Sequence, residues 1–308
     1  MSKRYKILIT GSSGMLGLDL CQELRSSYVV EGADIAASAR QDVKFYRSDI
    51  TDRDNIGGIV ADARPNFVIH TAAWTDVDGC ESDKASAYRV NAKGAENVAL
   101  ACSKSGATMI YISTDFVFDG KQDRPYKETD PTAPLSIYGD SKLEGEKLVQ
   151  KALKCHFILR TSWLYGANGK NFVDTIVAKA ATEKALRIVD DQAGSPTYTK
   201  DLAKAIRRLL DEVTAHKSQA KGYGIYHISN SGKVSWYEYA KTIVKLAGRK
   251  TKVVPISSEE LNRPAKRPAM SVLDNSKFFR FTGYRMRSWK AALKDYMSVE
   301  RKPKGSTC

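Results

Sequence analysis

The chain of 308 residues has an ordinary globular composition, with 42% hydrophobic and 27% charged residues, and its length allows one or two domains. No apolar run approaches the ~20 residues of a membrane span, and residues 7–9 are too few for a signal peptide. We therefore expect a cytoplasmic protein with no membrane partner. The five cysteines lack paired spacing, which favours reduced thiols over disulfides.

The chain carries an excess of positive charge, because 49 lysines and arginines exceed 35 acidic residues and the net charge is +14. The basic residues are spread along the whole sequence, and prolines interrupt their densest cluster, residues 263–267. Since no nucleic-acid-binding motif accompanies them, we expect no nucleic-acid partner. Two explanations of the positive charge stay open: attraction of an anionic cofactor and substrate, and a general bias of the surface composition.

The first predicted element is a strand over 6–9, which leads into the glycine-rich string TGSSGMLG at 10–17. Leu16, Leu20 and Leu24 then recur at helical spacing, so the segment has the order strand, turn, helix. In that order, glycines allow backbone N–H groups to approach a dinucleotide pyrophosphate at the start of the helix. The spacing is G-x-x-G-x-x-G, and a glycine turn that binds no ligand is the alternative.

The following apolar runs alternate with helical patterns, which is typical of βαβ units and a parallel sheet. We predict an α/β protein with a Rossmann-type doubly wound sheet and a smaller C-terminal substrate-binding lobe. The predicted division is 1–165 for the nucleotide-binding domain and 166–308 for the second lobe, partly interleaved with the first. The predicted strands after the first are 29–34, 67–70, 109–113 and 157–161, and the predicted helices are 16–25, 85–104 and 141–153.

Asp34 closes the second predicted strand, where such folds read the adenosine ribose. A carboxylate there favours the 2′-hydroxyl of NAD and repels the 2′-phosphate of NADP. Ser38 and Arg40 follow closely, and a cation at that place favours NADP. The two signals conflict, so the sequence predicts NADH or NADPH without a preference.

Thr114 ends the strand of 109–113, and Tyr138 and Lys142 follow in the string YGDSK. On a helix these last two side chains share one face, and a nearby ammonium group is expected to lower the pKa of a phenol. A phenol tuned in this way exchanges a proton with a carbonyl or alcohol oxygen, while a threonine hydroxyl polarises that oxygen. The alternatives are a threonine that caps a turn through Asp115 and an exposed lysine that pairs with Glu146.

These motifs resemble the extended short-chain dehydrogenase/reductase superfamily, and four further strings resemble the dTDP-4-dehydrorhamnose reductase family within it. The resemblance runs from about residue 6 to about residue 296. The strings are HTAAWTDVD (70–78), STDFVFDG (113–120), RTSWLYG (160–166) and DQAGSPT (191–197).

The resemblance implies NAD(P)H-dependent reduction of a nucleotide-linked 4-keto-6-deoxy sugar, with dTDP-4-dehydrorhamnose and dTDP-L-rhamnose as the expected substrate and product. It implies Thr114, Tyr138 and Lys142 as catalytic residues. The implied cofactor-binding residues are these last two together with Gly11, Ser13, Gly14, Met15, Leu16, Asp34, Arg40, Asp49, Ile50, Ala72, Ala73 and Asn91. The implied substrate-binding residues are Asp76, Val77, Phe118, Trp163, Asn171 and Arg267.

Two other functions stay open at this point. One is a nucleotide-sugar epimerase or dehydratase of the same superfamily, although a dehydratase needs an acidic pair beside the threonine and Thr114-Asp115-Phe116 supplies one acid. The other is a non-catalytic, NADP-binding regulatory subunit that resembles the beta subunit of methionine adenosyltransferase. Some family members bridge a dimer with magnesium through glutamates, but Asp19 stands at the first of those positions. We therefore predict no metal and leave a homodimer open.

Overall fold

The computed structural model describes residues 5–37, 42–215 and 222–299. Its centre is a seven-stranded parallel sheet in the order β11-β6-β5-β4-β1-β2-β3. The strands are β1 (Lys6–Thr10), β2 (Val29–Asp34), β3 (Lys44–Arg47), β4 (Phe67–His70), β5 (Thr108–Thr114), β6 (His156–Thr161), β7 (Leu164–Tyr165), β8 (Ala185–Val189), β9 (Ala193–Gly194), β10 (Thr197–Tyr198), β11 (Gly224–His227), β12 (Val234–Ser235) and β13 (Lys252–Ile256).

Helices cover both faces of this sheet and build most of the second lobe. A π-helical turn (Arg89–Gly94) joins two of them, and a 3-10 turn (Asp115–Val117) follows β5. The helices are α1 (Met15–Leu24), α2 (Arg53–Ala63), α3 (Val77–Ser82), α4 (Lys84–Tyr88), α5 (Ala95–Ser105), α6 (Ile137–Ala152), α7 (Phe172–Thr182), α8 (Thr199–Ala215), α9 (Trp236–Leu246), α10 (Ser258–Leu261), α11 (Ser276–Thr282) and α12 (Trp289–Val299).

The core lies on the two faces of the sheet. Side chains alternate along a strand, so Ile9 packs with Leu20 of α1 and Ile206 of α8, whereas Leu8 packs on the opposite face with Val98 of α5. Strands buried on both sides need continuous apolar runs, which is why β1 is apolar from Ile7 to Ile9. The predicted fold class, an α/β Rossmann-type doubly wound sheet, is confirmed.

The order of the strands reverses between β1 and β4. From β1 the chain proceeds outward to β2 and β3, and it then returns to the other side for β4, β5 and β6. Open α/β sheets bind ligands in the crevice at such a switch point, outside the carboxyl ends of the strands. The fold therefore places the glycine turn after β1 and the polar residues after β4 and β5 around one crevice.

A second core joins α7, α9 and α12, where Ile176, Ile243 and Leu293 are buried together. The same half of the chain also supplies β11 to the edge of the large sheet and α8 to the layer of α1. Because the two lobes are interleaved in this way, a single boundary only approximates the path of the chain. The division at residue 165 stays a prediction. Within residues 5–37, 42–215 and 222–299, no helix is long and apolar enough to cross a membrane.

Candidate active site

A cavity of about 1100 Å³ lies at the carboxyl ends of the central strands. It is lined by the glycine turn and by residues that end or follow β2, β4, β5 and β6. The predicted site residues that line it are Gly11, Ser13, Gly14, Met15, Leu16, Asp34, Asp49, Ile50, Ala72, Ala73, Thr114, Tyr138, Lys142 and Trp163.

The glycine turn is packed so closely that side chains would not fit. Gly11 has a φ of +76°, and a Cβ built there would lie 2.6 Å from the backbone nitrogen of Ala72. A Cβ on Gly17 would lie 2.1 Å from the carbonyl oxygen of Gly11. The turn thus brings the start of α1 against the end of β4, and Gly14, which has no side chain to cap the helix, stands at its N-cap. Such a backbone cradle fits the diphosphate of a dinucleotide.

Asp34 holds the glycine turn from the end of β2. Its carboxylate accepts hydrogen bonds from the backbone N–H of Ser13 at 2.9 Å and of Ala36 at 3.0 Å. Asp49 and Ile50 line the cavity beside it, and their contact with the cofactor stays a prediction. Arg40, which favours NADP, lies outside the described residues, as does Ser38.

Asn91 is buried and hydrogen-bonded within the protein. Its side chain is 1% exposed and makes two hydrogen bonds with the backbone of Trp74. Its Oδ1 accepts from the Trp74 N–H at 2.8 Å, and its Nδ2 donates to the Trp74 carbonyl oxygen at 3.1 Å. Its Nδ2 also lies 3.1 Å from Ser141 Oγ. The amide therefore ties the loop after β4 to α6, and its contact with the cofactor stays a prediction.

The three predicted catalytic residues meet at the cavity. Thr114 is the last residue of β5, and α6 carries Tyr138 and Lys142 one turn apart. The helix begins beside Thr114 because Ser136 caps it, accepting a hydrogen bond from the N–H of Gly139 at 3.2 Å. The Thr114 hydroxyl also accepts a hydrogen bond from Phe116 N–H at 3.1 Å. Thr114 therefore caps this turn, as the alternative interpretation states, and also lines the cavity.

The electrostatics of this pair differ from the sequence prediction. Lys142 is 2% exposed, its Nζ donates to the carbonyl of Ile112 at 2.7 Å, and it lies 4.1 Å from the centre of the Tyr111 ring. Burial lowers the pKa of Lys142 to about 7, which Glu146 opposes. Burial raises the pKa of Tyr138, and only the Thr114 hydroxyl opposes the rise. The expected lowering of the tyrosine pKa by Lys142 is therefore absent, since the ammonium group is bound to the Ile112 carbonyl.

Comparisons with known proteins decide the family. The profile described as the RmlD substrate binding domain matches residues 5–301. The dTDP-4-dehydrorhamnose reductase of Streptomyces griseus is 41% identical over 94% of this chain and 92% of its own. The spore coat polysaccharide biosynthesis protein SpsK of Bacillus subtilis is 40% identical over 95% and 96%. The chain belongs to the RmlD substrate-binding-domain family.

A solved structure supports the same assignment. The dTDP-4-dehydrorhamnose reductase of Bacillus anthracis, determined in complex with NADP, superimposes with a TM-score of 0.87 at 38% identity, over 96% of this chain and 99% of that one. The family fold therefore extends over both lobes.

In this family member, Asp115 is a cavity residue that the sequence reasoning did not select. It is 2% exposed, lines the cavity and accepts a hydrogen bond from the Thr114 hydroxyl at 3.1 Å. Burial raises the pKa of its carboxyl to about 7. Its position directly after Thr114, the predicted catalytic threonine at a strand end, was the available signal.

Trp163 is the predicted substrate residue that reaches the cavity. Its φ is +48°, a left-handed conformation, and its ring stacks on that of Trp236 with centroids 3.5 Å apart. A Cβ on Gly194 would lie 2.5 Å from the Trp163 ring, so only glycine fits behind it. The indole is thus held between two elements of the second lobe.

Two predicted substrate residues lie in the protein interior, and their contact with substrate stays a prediction. Phe118 is fully buried and stacks on Tyr126 at 4.1 Å. Asn171 is 8% exposed and caps α7 through the N–H of Asp174 at 3.0 Å, while its amide donates to the Gly166 carbonyl at 2.9 Å. Neither side chain lines the cavity.

The other three predicted substrate residues lie beside the cavity lining at the start of α3. Asp76 caps that helix through the N–H of Gly79 at 3.0 Å, and Val77 is its first residue. Arg267 donates to Asp78 Oδ2 at 3.0 Å from the loop after α10. This arrangement leaves their contact with substrate a prediction. Among the described residues there is no cluster of three or more His, Cys, Asp or Glu side chains that could hold a metal ion.

Proposed function

We propose that this chain catalyses NAD(P)H-dependent reduction of a nucleotide-linked 4-keto-6-deoxy sugar, with dTDP-4-dehydrorhamnose as substrate and dTDP-L-rhamnose as product. The observation that carries the proposal is the meeting of Thr114, Tyr138 and Lys142 with the glycine turn in one cavity. The relatives from Streptomyces griseus and Bacillus anthracis are dTDP-4-dehydrorhamnose reductases, which supports this choice of substrate.

The cavity fits a nicotinamide dinucleotide. The glycine turn lines the cavity with backbone that a diphosphate can approach, and Asp34 stands at the expected ribose position. We propose that the cofactor contacts Ile50 and Ala72 and their neighbours in the cavity lining, and that it is NADPH or NADH. A bound reduced cofactor supplies a hydride to the carbonyl carbon of the sugar.

The protein residues handle the proton. Tyr138 donates its phenolic proton to the carbonyl oxygen as that oxygen becomes an alcohol, and Thr114 donates a hydrogen bond to the same oxygen. The high pKa of Tyr138 keeps the phenol protonated before the reaction. The phenolate that remains lies one turn from Lys142 on α6. When the carboxyl group of Asp115 is protonated, it carries no negative charge and does not repel that phenolate.

Trp163 offers an aromatic face at the second lobe, which suits the apolar side of a deoxyhexose. We further propose that Arg267 with Asp76 and Val77 contacts the nucleotide side of the substrate. Free thiols at all four cysteines of the described residues are consistent with a cytoplasmic site of action, which we also propose.

The test is oxidation of NADPH and NADH by the purified protein with dTDP-4-dehydrorhamnose generated in place, followed by the loss of nicotinamide absorbance. Substrate-dependent oxidation supports the reductase and reveals its cofactor preference. Cofactor binding without oxidation would contradict it and favour a regulatory subunit.

The matched variant is Tyr138→Phe, which removes only the phenolic hydroxyl. General acid catalysis contributes about 10²- to 10⁴-fold, so we expect kcat to fall by at least 10²-fold. The dissociation constant for NADPH should stay within about twofold, because the ring remains to fill its place. An equal loss in both quantities would contradict the catalytic role of Tyr138.

A further inference from the structure

Glu146 lies on the same face of α6 as the proposed catalytic residues. Tyr138, Lys142 and Glu146 follow one another at intervals of four residues, which places them along one side of the helix. Glu146 is 2% exposed, like Lys142. The helix therefore carries a buried carboxylate one turn behind a buried lysine.

The carboxylate of Glu146 is bound to two strands at once. Its Oε1 accepts hydrogen bonds from Ser113 Oγ at 2.6 Å and from Arg160 Nε at 2.9 Å. Its Oε2 accepts from Arg160 Nη2 at 2.6 Å. Arg160 is itself 2% exposed, so this is a buried, bidentate, charge-assisted pair.

One of these partners, Ser113, lines the cavity itself. Ser113 of β5 and Arg160 of β6 are opposite each other in the sheet, and the next pair in register is Thr114 with Thr161. Both threonines line the cavity. A single side chain of α6 thus fixes the helix against the ends of the two strands that carry these threonines.

Glu146 is the carboxylate that balances the positive charge of Lys142. From β5, the Tyr111 ring packs against the ammonium group. From β4, His70 lies near Lys142, and burial together with the Lys142 charge lowers the pKa of His70 to about 3. A histidine with that pKa is neutral and supplies no negative charge. Removal of the Glu146 charge alone would leave the cations of Lys142 and Arg160 buried together.

A buried ion pair is not by itself a source of stability, because well-packed apolar residues of the same volume serve at least as well. Its position argues for a role in the site. We propose that Glu146 is a positioning residue, which locks the helix of Tyr138 and Lys142 onto the strand of Thr114 and balances the buried ammonium charge. The inference rests on the proposed reductase function.

The experiment compares Glu146→Gln with the wild type in the pH dependence of kcat/KM and of NADPH affinity. Glutamine keeps the shape and can still accept from Ser113, but it carries no charge. Because Glu146 raises the pKa of Lys142, its loss should make the lysine lose its proton at lower pH. We expect the alkaline limb of both profiles to move down by about one pH unit and kcat to fall at least tenfold at neutral pH.

Two further variants separate positioning from stability. Ser113→Ala removes one hydrogen bond to Glu146 and leaves its charge, so kcat should fall less and the alkaline limb should stay in place. Glu146→Gln with Arg160→Met removes the charges of both partners, and the limb should return toward its wild-type position. The double variant also covers the case in which the single variant does not fold.

The proposal is overturned if Glu146→Gln leaves both profiles in place, or if every variant loses activity only in proportion to its thermal stability. NADPH affinity is measured without turnover. A wild type that binds NADPH but reduces no sugar would therefore refute the reductase function, while the affinity profile would still decide the role of Glu146.

Discussion

Gly17 offers a sharp test of the glycine turn, because replacement by alanine adds one methyl group to filled space. The new Cβ would lie 2.1 Å from Gly11 O and 2.7 Å from Ser12 Cα. Carbon contacts settle near ~3.5 Å or more, so backbone must move by more than about 1 Å. Overpacking costs about 1–3 kcal/mol, and alanine recovers about 1 kcal/mol in helix propensity. Because rigid backbone fills the site, we expect a net loss of about 2 kcal/mol.

The assay is urea unfolding with linear extrapolation, together with NADPH affinity by nicotinamide fluorescence. The displaced turn should weaken NADPH binding at least tenfold. Gly57→Ala in α2 is the matched control, because an added Cβ meets nothing within 4 Å among the described residues. That control should gain about 0.5–1 kcal/mol and bind NADPH normally. Equal stability of the two variants, with unchanged NADPH affinity, would refute the close-packed turn.

Two further predictions concern the cavity walls. The pKa of Asp115 is raised in the folded protein, so its contribution to stability is full below its unfolded pKa, near 4, and is lost as the pH rises to about 7. Asp115→Asn should flatten the fall of unfolding free energy across that range, and an unchanged slope in urea unfolding would contradict the burial argument. Gly194→Ala would place a Cβ 2.5 Å from the Trp163 ring, so it should disturb the stack with Trp236 and raise the KM for the sugar nucleotide severalfold, with little effect on NADPH affinity. Tryptophan emission identical to that of the wild type would show that the stack had not moved.

Local patterns were sufficient for the nucleotide-binding half of the site. The turn at Gly11 and the helix carrying Tyr138 and Lys142 depend on contacts within a few residues, which spacing and capping residues reveal. The parallel sheet followed from the alternation of apolar runs with helical patterns, because parallel strands need helical crossovers. The predicted roles of the cavity residues still await measurement.

Sequence reasoning is weakest where a residue's role depends on distant partners. Phe118 stands in a family string and the resemblance implies Asn171, yet Phe118 packs on Tyr126, Asn171 caps α7, and neither lines the cavity. The tyrosine pKa was misjudged for the same reason, since the Ile112 carbonyl binds Lys142 and burial outweighs the lysine charge.

The sequence by itself determined the doubly wound fold, the cofactor turn and the Tyr138 and Lys142 pair, because each depends on periodicity or short-range geometry. Only the tertiary structure decided which polar residues share the cavity and which lie beneath it. The carboxylate of Glu146 meets Ser113, 33 residues away in the chain, and Arg160, 14 residues away, after three elements have packed together. Burial and hydrogen-bond partners are properties of that packing, and they set the charges on which the proposed chemistry depends.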